Sequence, residues 1–306
     1  DNSEDNRVFK EVTRVGEALE KIKAVKGSYK KAKVAIIYDW ENNWALNDAQ
    51  GFSNASKRYP QTLQEHYRYF WNHDIAVEVI TSEADFSKYE LIIGPMMYLM
   101  TEDVMKRLSS YVKQGGTFVS TYITGYVNEN DLTYLGGWPQ PLREMFGIKV
   151  TETDTLYPKD RNAVHYADQF FEAKDYCSLF ELEGAEVLGT YTEDFYAGKP
   201  AITRNKYGQG AAYFIGARTN LDFLEYFYGE LAKDKGLENA WVIKGDPDVS
   251  VQSRDFENQS YRFVMNFSEE MKEIQVATAC VDLLTRTTHP TTLTLAPYEV
   301  LLLAEK

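Results

Sequence analysis

Residues Lys33 to Leu46 read KVAIIYDWENNWAL, and the contrast between the two halves of that stretch sets the fold class. The first half, Val34-Ala35-Ile36-Ile37-Tyr38, is a continuous apolar run with three β-branched residues and a tyrosine. Such a run suits a strand covered on both faces, as in a parallel sheet, better than a strand with one wet face. The second half, Asp39-Trp40-Glu41-Asn42-Asn43-Trp44, mixes two acids, two amides and two indoles and reads as a loop. In an open α/β sheet, ligands and partners are met at the carboxyl ends of inner strands. That loop is therefore where the domain is expected to show its chemistry.

The flanking sequence repeats the pattern. Val8, Val12, Val15, Leu19 and Ile22 are spaced as one face of an amphipathic helix, which Gly27-Ser28 ends. After the DWENNWAL segment, residues 59–72 read as a helix with Pro60 in its first turn. Residues 75–80 and 89–96 read as strands, 102–114 as a helix stopped by Gly115-Gly116, and 117–121 as a fourth strand. Strands alternating with crossovers of a dozen or more residues predict a parallel, doubly wound sheet. Residues 123–148 read as loop with a short helix over 141–146, and 150–180 as an irregular or edge excursion. Three β-rich runs follow at 185–191, 201–207 and 211–217, and then a helix over 220–235. From Trp241 onward the pattern is alternation without helices. The runs 249–254, 260–266, 273–278, 279–284 and 292–303 predict a small antiparallel β-sandwich.

Composition narrows the function classes. The 306 residues exceed the size at which one core usually keeps growing, so two domains are expected. With 46 acids against 33 bases the formal charge is −13, which argues against nucleic acid or an anionic membrane surface as partner. No apolar run approaches the roughly 20 residues of a membrane span. Cys177 and Cys280 lie far apart and in no ligand spacing, and are expected to be buried, reduced thiols in a cytoplasmic protein. The chain opens Asp1-Asn2-Ser3-Glu4, without initiator Met or secretory segment, which we read as a piece of a longer protein.

Catalytic constellations are sought without success. Asp39 and Glu41 could approach the roughly 5–9.5 Å carboxyl separation of a glycosidase, but acids two apart in a loop are more often a solvated or capping pair. Neither cysteine sits on a Gly-flanked elbow, and no serine occupies a G-x-S-x-G turn. His66, His73, His165 and His289 show no ligand spacing, so neither metal nor cofactor is expected. Gly136-Gly137 lacks the lysine of a phosphate loop. Trp71 is expected in the core. For Trp40 and Trp44, on a polar segment, we favour ligand or interface contact.

The segments VAIIYDWENNWAL and GGTFVSTYITGYVNENDLTYLGGWPQPLREMFGI resemble the trimerisation domain of family 42 glycoside hydrolases, the bacterial β-galactosidases. RVFKEVTRVGEALEKI resembles the connector after their catalytic barrel, and LAPYEVLLL the last strand of their C-terminal β-domain. The resemblance implies a connector helix over 1–30, an α/β trimerisation domain over 31–238 and a β-sandwich over 239–306. It implies a flavodoxin-like sheet related to class I glutamine amidotransferases. It also implies a homotrimer attached to its own (β/α)₈ barrel, which hydrolyses terminal β-D-galactosides. A barrel needs about 250 residues and eight repeats, none of which this chain carries, so no catalytic residue is transferred and the chain alone is expected to be inactive. In such a trimer Trp40, Glu41, Asn42 and Trp44 would face a neighbouring barrel and touch galactoside only at the edge of its pocket. Asn43 stands where the family often has a second aromatic residue, and Asn128 where an acid is common.

Two other classes remain open at this level. A free-standing amidotransferase-like enzyme would need a nucleophile at a strand elbow, where this chain has Met, Tyr and Thr. A carbohydrate-binding module would use the β-domain, whose single indole is Trp241.

Overall fold

The computed structural model describes residues 3–140 and 142–305, which fall into two compact units. The larger unit is Ala32–Tyr69 with Val77–Leu237. The smaller combines the described residues up to Lys31, the segment Phe70–Ala76 and the described residues from Glu238 onward.

Helix α1 (Arg7–Lys21) comes first, then β1 (Val34–Ile37), α2 (Trp40–Asp48), α3 (Tyr59–Asn72) and β2 (Val77–Ile80). They are followed by β3 (Leu91–Gly94), α4 (Glu102–Lys113), β4 (Thr117–Thr121), α5 (Arg143–Phe146), β5 (Ile148–Thr155) and β6 (Asn162–Tyr166). The larger unit ends with β7 (Gln169–Leu182), β8 (Glu186–Tyr191), β9 (Pro200–Tyr207), β10 (Gly210–Ile215), β11 (Ala217–Thr219) and α6 (Leu221–Asp234). Among the described residues its strands form one sheet in the order β11-β7-β6-β8-β9-β10-β4-β3-β1-β2, with β5 paired to β7.

Strands β2, β1, β3, β4 and β10 are parallel neighbours. Every residue of β1, β3, β4 and β10 is buried, which is why β1, β3 and β10 read as apolar runs, while β4 also buries Thr117, Ser120 and Thr121. Helix α4 covers them with Met105, Leu108 and Val112. The Thr101 hydroxyl caps its first turn, and Gly115, at φ +115°, lets the chain turn back into β4.

The sheet is not doubly wound throughout. Beyond β10 it continues as antiparallel strands, so the unit is mixed α/β. Residues 150–180, expected to be irregular, supply most of β5, all of β6 and most of β7. The alternation in β7 is real but changes phase. Phe171 and Ala173 are buried, then Tyr176, Ser178 and Phe180 are, with Cys177 buried between them. The extra residue lies around Asp175, at φ +58°, where the pairing with β11 slips. Such a bulge moves the buried set from odd to even positions and hides a period-two signal. The short helix expected over 141–146 spans Arg143–Phe146, and Pro141 lies outside the described residues.

In the smaller unit β12 (Val242–Lys244), β13 (Val249–Phe256), β14 (Gln259–Asn266), β15 (Lys272–Val276), β16 (Cys280–Asp282), β17 (Thr288–His289), β18 (Thr292–Leu295) and β19 (Val300–Glu305) form two antiparallel sheets. One is ordered β12-β15-β18, the other β13-β14-β19-β16-β17. Val249, Val251, Val264, Leu301 and Leu303 from one sheet share a core with Ile274, Val276, Leu293 and Leu295 from the other. The run read as one strand over 292–303 is two, because Pro297 cannot donate to a ladder and Tyr298 turns the chain at φ +57°. Trp71, expected in the core, is 37% exposed. No helix of the described residues is long and apolar enough to cross a membrane.

Among the described residues two cationic side chains, Lys57 and Arg218, lie buried in the larger unit. Arg218 is 2% exposed and donates to Asp175 Oδ2 (2.9 Å), the Tyr122 hydroxyl (2.7 Å) and the Lys57 carbonyl (2.7 Å). Removing one partner of a buried pair strands the other, at a cost of about 3–5 kcal/mol. Arg218→Met is therefore expected to lower unfolding free energy by about 3 kcal/mol or more in urea titration, and Arg218→Lys not to restore it, because an ammonium lacks the guanidinium fork. A loss below about 1 kcal/mol would contradict this assignment.

His66 sets a pH dependence. Its Nδ1 lies 2.6 Å from the Tyr228 hydroxyl, and burial, with Arg218 nearby, lowers its pKa to about 3. The unfolded chain takes up this proton near pH 6.5 while the folded chain does not. The stabilisation is complete above that pH and falls as pH drops toward 3, by about 1.4 kcal/mol per unit. Between pH 7 and 5 the His66 contribution should be a loss of about 2 kcal/mol, absent in His66→Gln. Equal pH slopes for the two proteins would rule it out.

Candidate functional site

The segment expected to be a loop is helical from its second residue. Tyr38 ends the first strand region by donating its amide to the Ile80 carbonyl, and Asp39 then caps α2. One carboxylate oxygen of Asp39 accepts from the amides of Glu41 (2.9 Å) and Asn42 (3.4 Å). The other accepts from the Ser82 hydroxyl. Two sequence signals are consistent with this helix, namely an aspartate at a strand end and indoles spaced i,i+4 at Trp40 and Trp44. The polar composition of the segment masked them.

The four residues singled out from the sequence separate in space. Trp40 and Trp44 are 58% and 64% exposed, with ring centroids 6.5 Å apart. Glu41 is exposed beside them. Tyr38 meets Trp40 edge-on at 5.0 Å and stacks on Tyr59 at 5.5 Å, so the indoles stand on a ring stack rooted in the core. Burial raises the Tyr59 hydroxyl to about 12, and that hydroxyl donates to the Ile37 carbonyl.

Asn42 does not share this outward face. It is 1% exposed, donates to the Met96 carbonyl (3.0 Å) and accepts from the Leu99 amide (2.9 Å). It is an internal tie, and its expected outward role is corrected. Asn128 is likewise used locally, accepting from the amides of Asn130 and Leu132.

The geometry also bears on the alternatives. Asp39 is committed to capping, so Asp39 and Glu41 are not a free carboxyl pair. Burial pushes the Cys177 thiol up to about 12 and raises that of Cys280, the opposite of what a thiolate nucleophile needs. After β3, Met96 takes a left-handed φ of +47°, but its side chain is buried and accepts from Arg218. Trp241 is 5% exposed, inside the core of the smaller unit beneath the Arg262 guanidinium, and offers no sugar platform. Among the described residues no group of three or more His, Cys, Asp or Glu could hold a metal ion. A cavity of about 400 Å³ lies at the C-terminal end of α2, lined by Asp48, Phe52, Tyr98, Tyr126 and Asp131. Tyr98 there is raised to about 12, by burial first and by Asp131 next.

Residues 32–238 match the β-galactosidase trimerisation domain, and residues 248–305 the β-galactosidase C-terminal domain. The chain is 52% identical over 299 residues to the β-galactosidase GalA of Bacillus licheniformis, covering 98% of this chain and 44% of that protein. It is 52% identical over 300 residues to the β-galactosidase GanA of Bacillus subtilis, covering 98% and 45%. The solved structure of a catalytic mutant of Gan42B, a GH42 β-galactosidase from G. stearothermophilus, superposes with a TM-score of 0.95 at 50% identity. That superposition covers 99% of this chain and 44% of the other. The chain thus spans less than half the length of the curated relatives it matches. The match is to their trimerisation and C-terminal domains, not to the catalytic barrel, and on this evidence the chain belongs to the GH42 β-galactosidase family.

Proposed function

We propose that this chain is the non-catalytic assembly region of a β-galactosidase that hydrolyses terminal β-D-galactosides, and that it assembles as a homotrimer attached to its own barrel. The observation that carries this reading is the match of residues 32–238 to a trimerisation domain. On this reading residues 1–30 connect to the barrel, 31–238 build the trimer and 239–306 form the terminal β-domain. The sheet is read as flavodoxin-like and related to the amidotransferases. In support, its parallel half follows the order β2-β1-β3-β4-β10, and the chain makes a left-handed elbow at Met96 after β3. Two buried, unpaired cysteines suit the reducing cytoplasm.

Light scattering over a dilution series tests the assembly. The expected mass is three times the 35.2 kDa chain, constant with concentration. A chain that stays monomeric across the series would remove it as the seat of assembly.

Trp40, Glu41 and Trp44 are assigned to the edge of a neighbouring subunit's sugar pocket. Exposed indoles fixed on a capped helix present rigid apolar area, the kind of group that dominates interfaces and sugar-facing walls. In the full-length enzyme Trp40→Ala is expected to raise KM for a galactoside about tenfold, equivalent to ~1.4 kcal/mol, with the oligomer intact. Unchanged kinetics in an intact trimer would withdraw that role.

A further inference from the structure

The two carboxylate oxygens of Asp39 have separate tasks. Oδ1 accepts from the amides of Glu41 and Asn42 and so caps α2 by itself. Oδ2 accepts from the hydroxyl of Ser82, 43 positions away. This second bond is not needed to close the helix end. It fixes the plane of the carboxylate, and with it the direction in which the first turn of α2 leaves the strand. Trp40 is the first residue of that turn, and Trp44 lies one turn on with its ring 6.5 Å from that of Trp40.

Ser82 belongs to the turn Thr81-Ser82-Glu83-Ala84 after β2, closed by the Ala84 amide donating to the Thr81 carbonyl (3.2 Å). Such a turn has no strand ladder to hold it, and it is held instead from α4. Arg107 donates through Nη1 to the Ala84 carbonyl (3.0 Å) and through Nη2 to the Ser82 carbonyl, while its Nε pairs with Asp103 (2.9 Å). The guanidinium also lies over the Phe86 ring, 4.8 Å from the centroid. A planar fork can grip two carbonyls and a carboxylate at once, which an ammonium cannot. One line of contacts thus runs from Arg107 through the turn to Ser82, then to Asp39 and the start of α2. Side chains that bind are held to useful precision only when the residues behind them are themselves fixed. We propose that Ser82 is a positioning residue for the galactoside contact of Trp40 and Trp44, acting through Asp39, with Arg107 fixing the turn that carries it. The inference rests on the contact role assigned to those two indoles.

Hydrogen exchange and kinetics test it together. In the 306-residue chain, exchange of the Glu41 and Asn42 amides should quicken in Ser82→Ala by about threefold. Ser82→Thr keeps the hydroxyl and should return the rate toward that of the native chain. In the full-length enzyme S82A should raise KM for a galactoside about threefold, with kcat unchanged and the oligomer intact. On a W40A background S82A should add nothing, because a residue that acts through an indole has no effect once the indole is gone. R107K, which touches no part of α2, should reproduce the S82A pattern and serves as the second reading if S82A fails to fold. Unchanged amide exchange in S82A overturns the inference. So does an unchanged KM in S82A where W40A alone raises it, a result that leaves the contact assignment standing. A rise from S82A that persists undiminished on W40A overturns it as well, since the effect then bypasses the indole. W40A without effect on KM removes the contact assignment itself, and the inference with it.

Discussion

The larger unit depends on the burial of the Arg218 guanidinium. A guanidinium has five N–H donors and no acceptor, and burying it is tolerable only when those donors and its charge are satisfied. Arg218 meets the condition by gathering parts distant in sequence. It reaches the Tyr122 hydroxyl after β4, Asp175 at the bulge of β7, the Ser56 and Lys57 carbonyls ahead of α3, and Thr62 within α3. The rings of Tyr122 and Tyr176 flank it at 5.4 and 5.0 Å. The bulge at Asp175 thus belongs to this arrangement, since the carboxylate it carries is the counter-charge of the buried cation.

From Arg218 the arrangement runs to the proposed contact site. One guanidinium nitrogen donates to the Met96 sulfur, the Met96 amide donates to Thr121 Oγ1, and the Met96 carbonyl accepts from Asn42. A left-handed methionine is an uncommon conformation that persists only where its surroundings over-determine it, and here three bonds do so. Asn42 then ties α2 from inside while Asp39 ties it at its start. Trp40 and Trp44 stand on a helix fixed at two points. Because a preorganised surface loses less freedom on binding, a helix held this way suits the contact role proposed for Trp40 and Trp44.

These dependencies explain what the sequence did and did not disclose. The inner parallel strands β1, β3 and β10 were legible because burial on both faces leaves an apolar run, and α4 and α6 because one apolar face leaves a helical period. β7 was not, since the bulge moves its buried positions from Phe171 and Ala173 to Tyr176 and Ser178. The DWENNWAL segment was read as a loop and is a helix, because a short helix that is polar around most of its circumference gives no period to find. Composition could show that amides and indoles occur together at Asp39–Trp44. It could not show that Asn42 turns inward to two backbone groups presented by the turn after β3. Arg218 was invisible for the same reason, since its partners lie up to 162 positions away.

Charge constrains how such a surface can assemble. Each chain carries a formal −13, so copies approaching one another repel until salt screens them, within about 8 Å at physiological ionic strength. Net charge therefore opposes association, and apolar burial has to carry it. At the Trp40–Trp44 face the local chemistry suits that requirement. Asp39 is half-buried and its carboxylate is engaged by the α2 amides and Ser82, so of the two acids in the segment only Glu41 is fully exposed and without such ties. A single exposed carboxylate beside two large rings can remain hydrated at the rim while the indoles are covered, the division of labour usual between the rim and core of an interface. Had Asp39 been free as well, covering the indoles would have required desolvating two carboxylates. The capping bond that makes α2 a helix is thus also what leaves its outward face apolar enough to be buried.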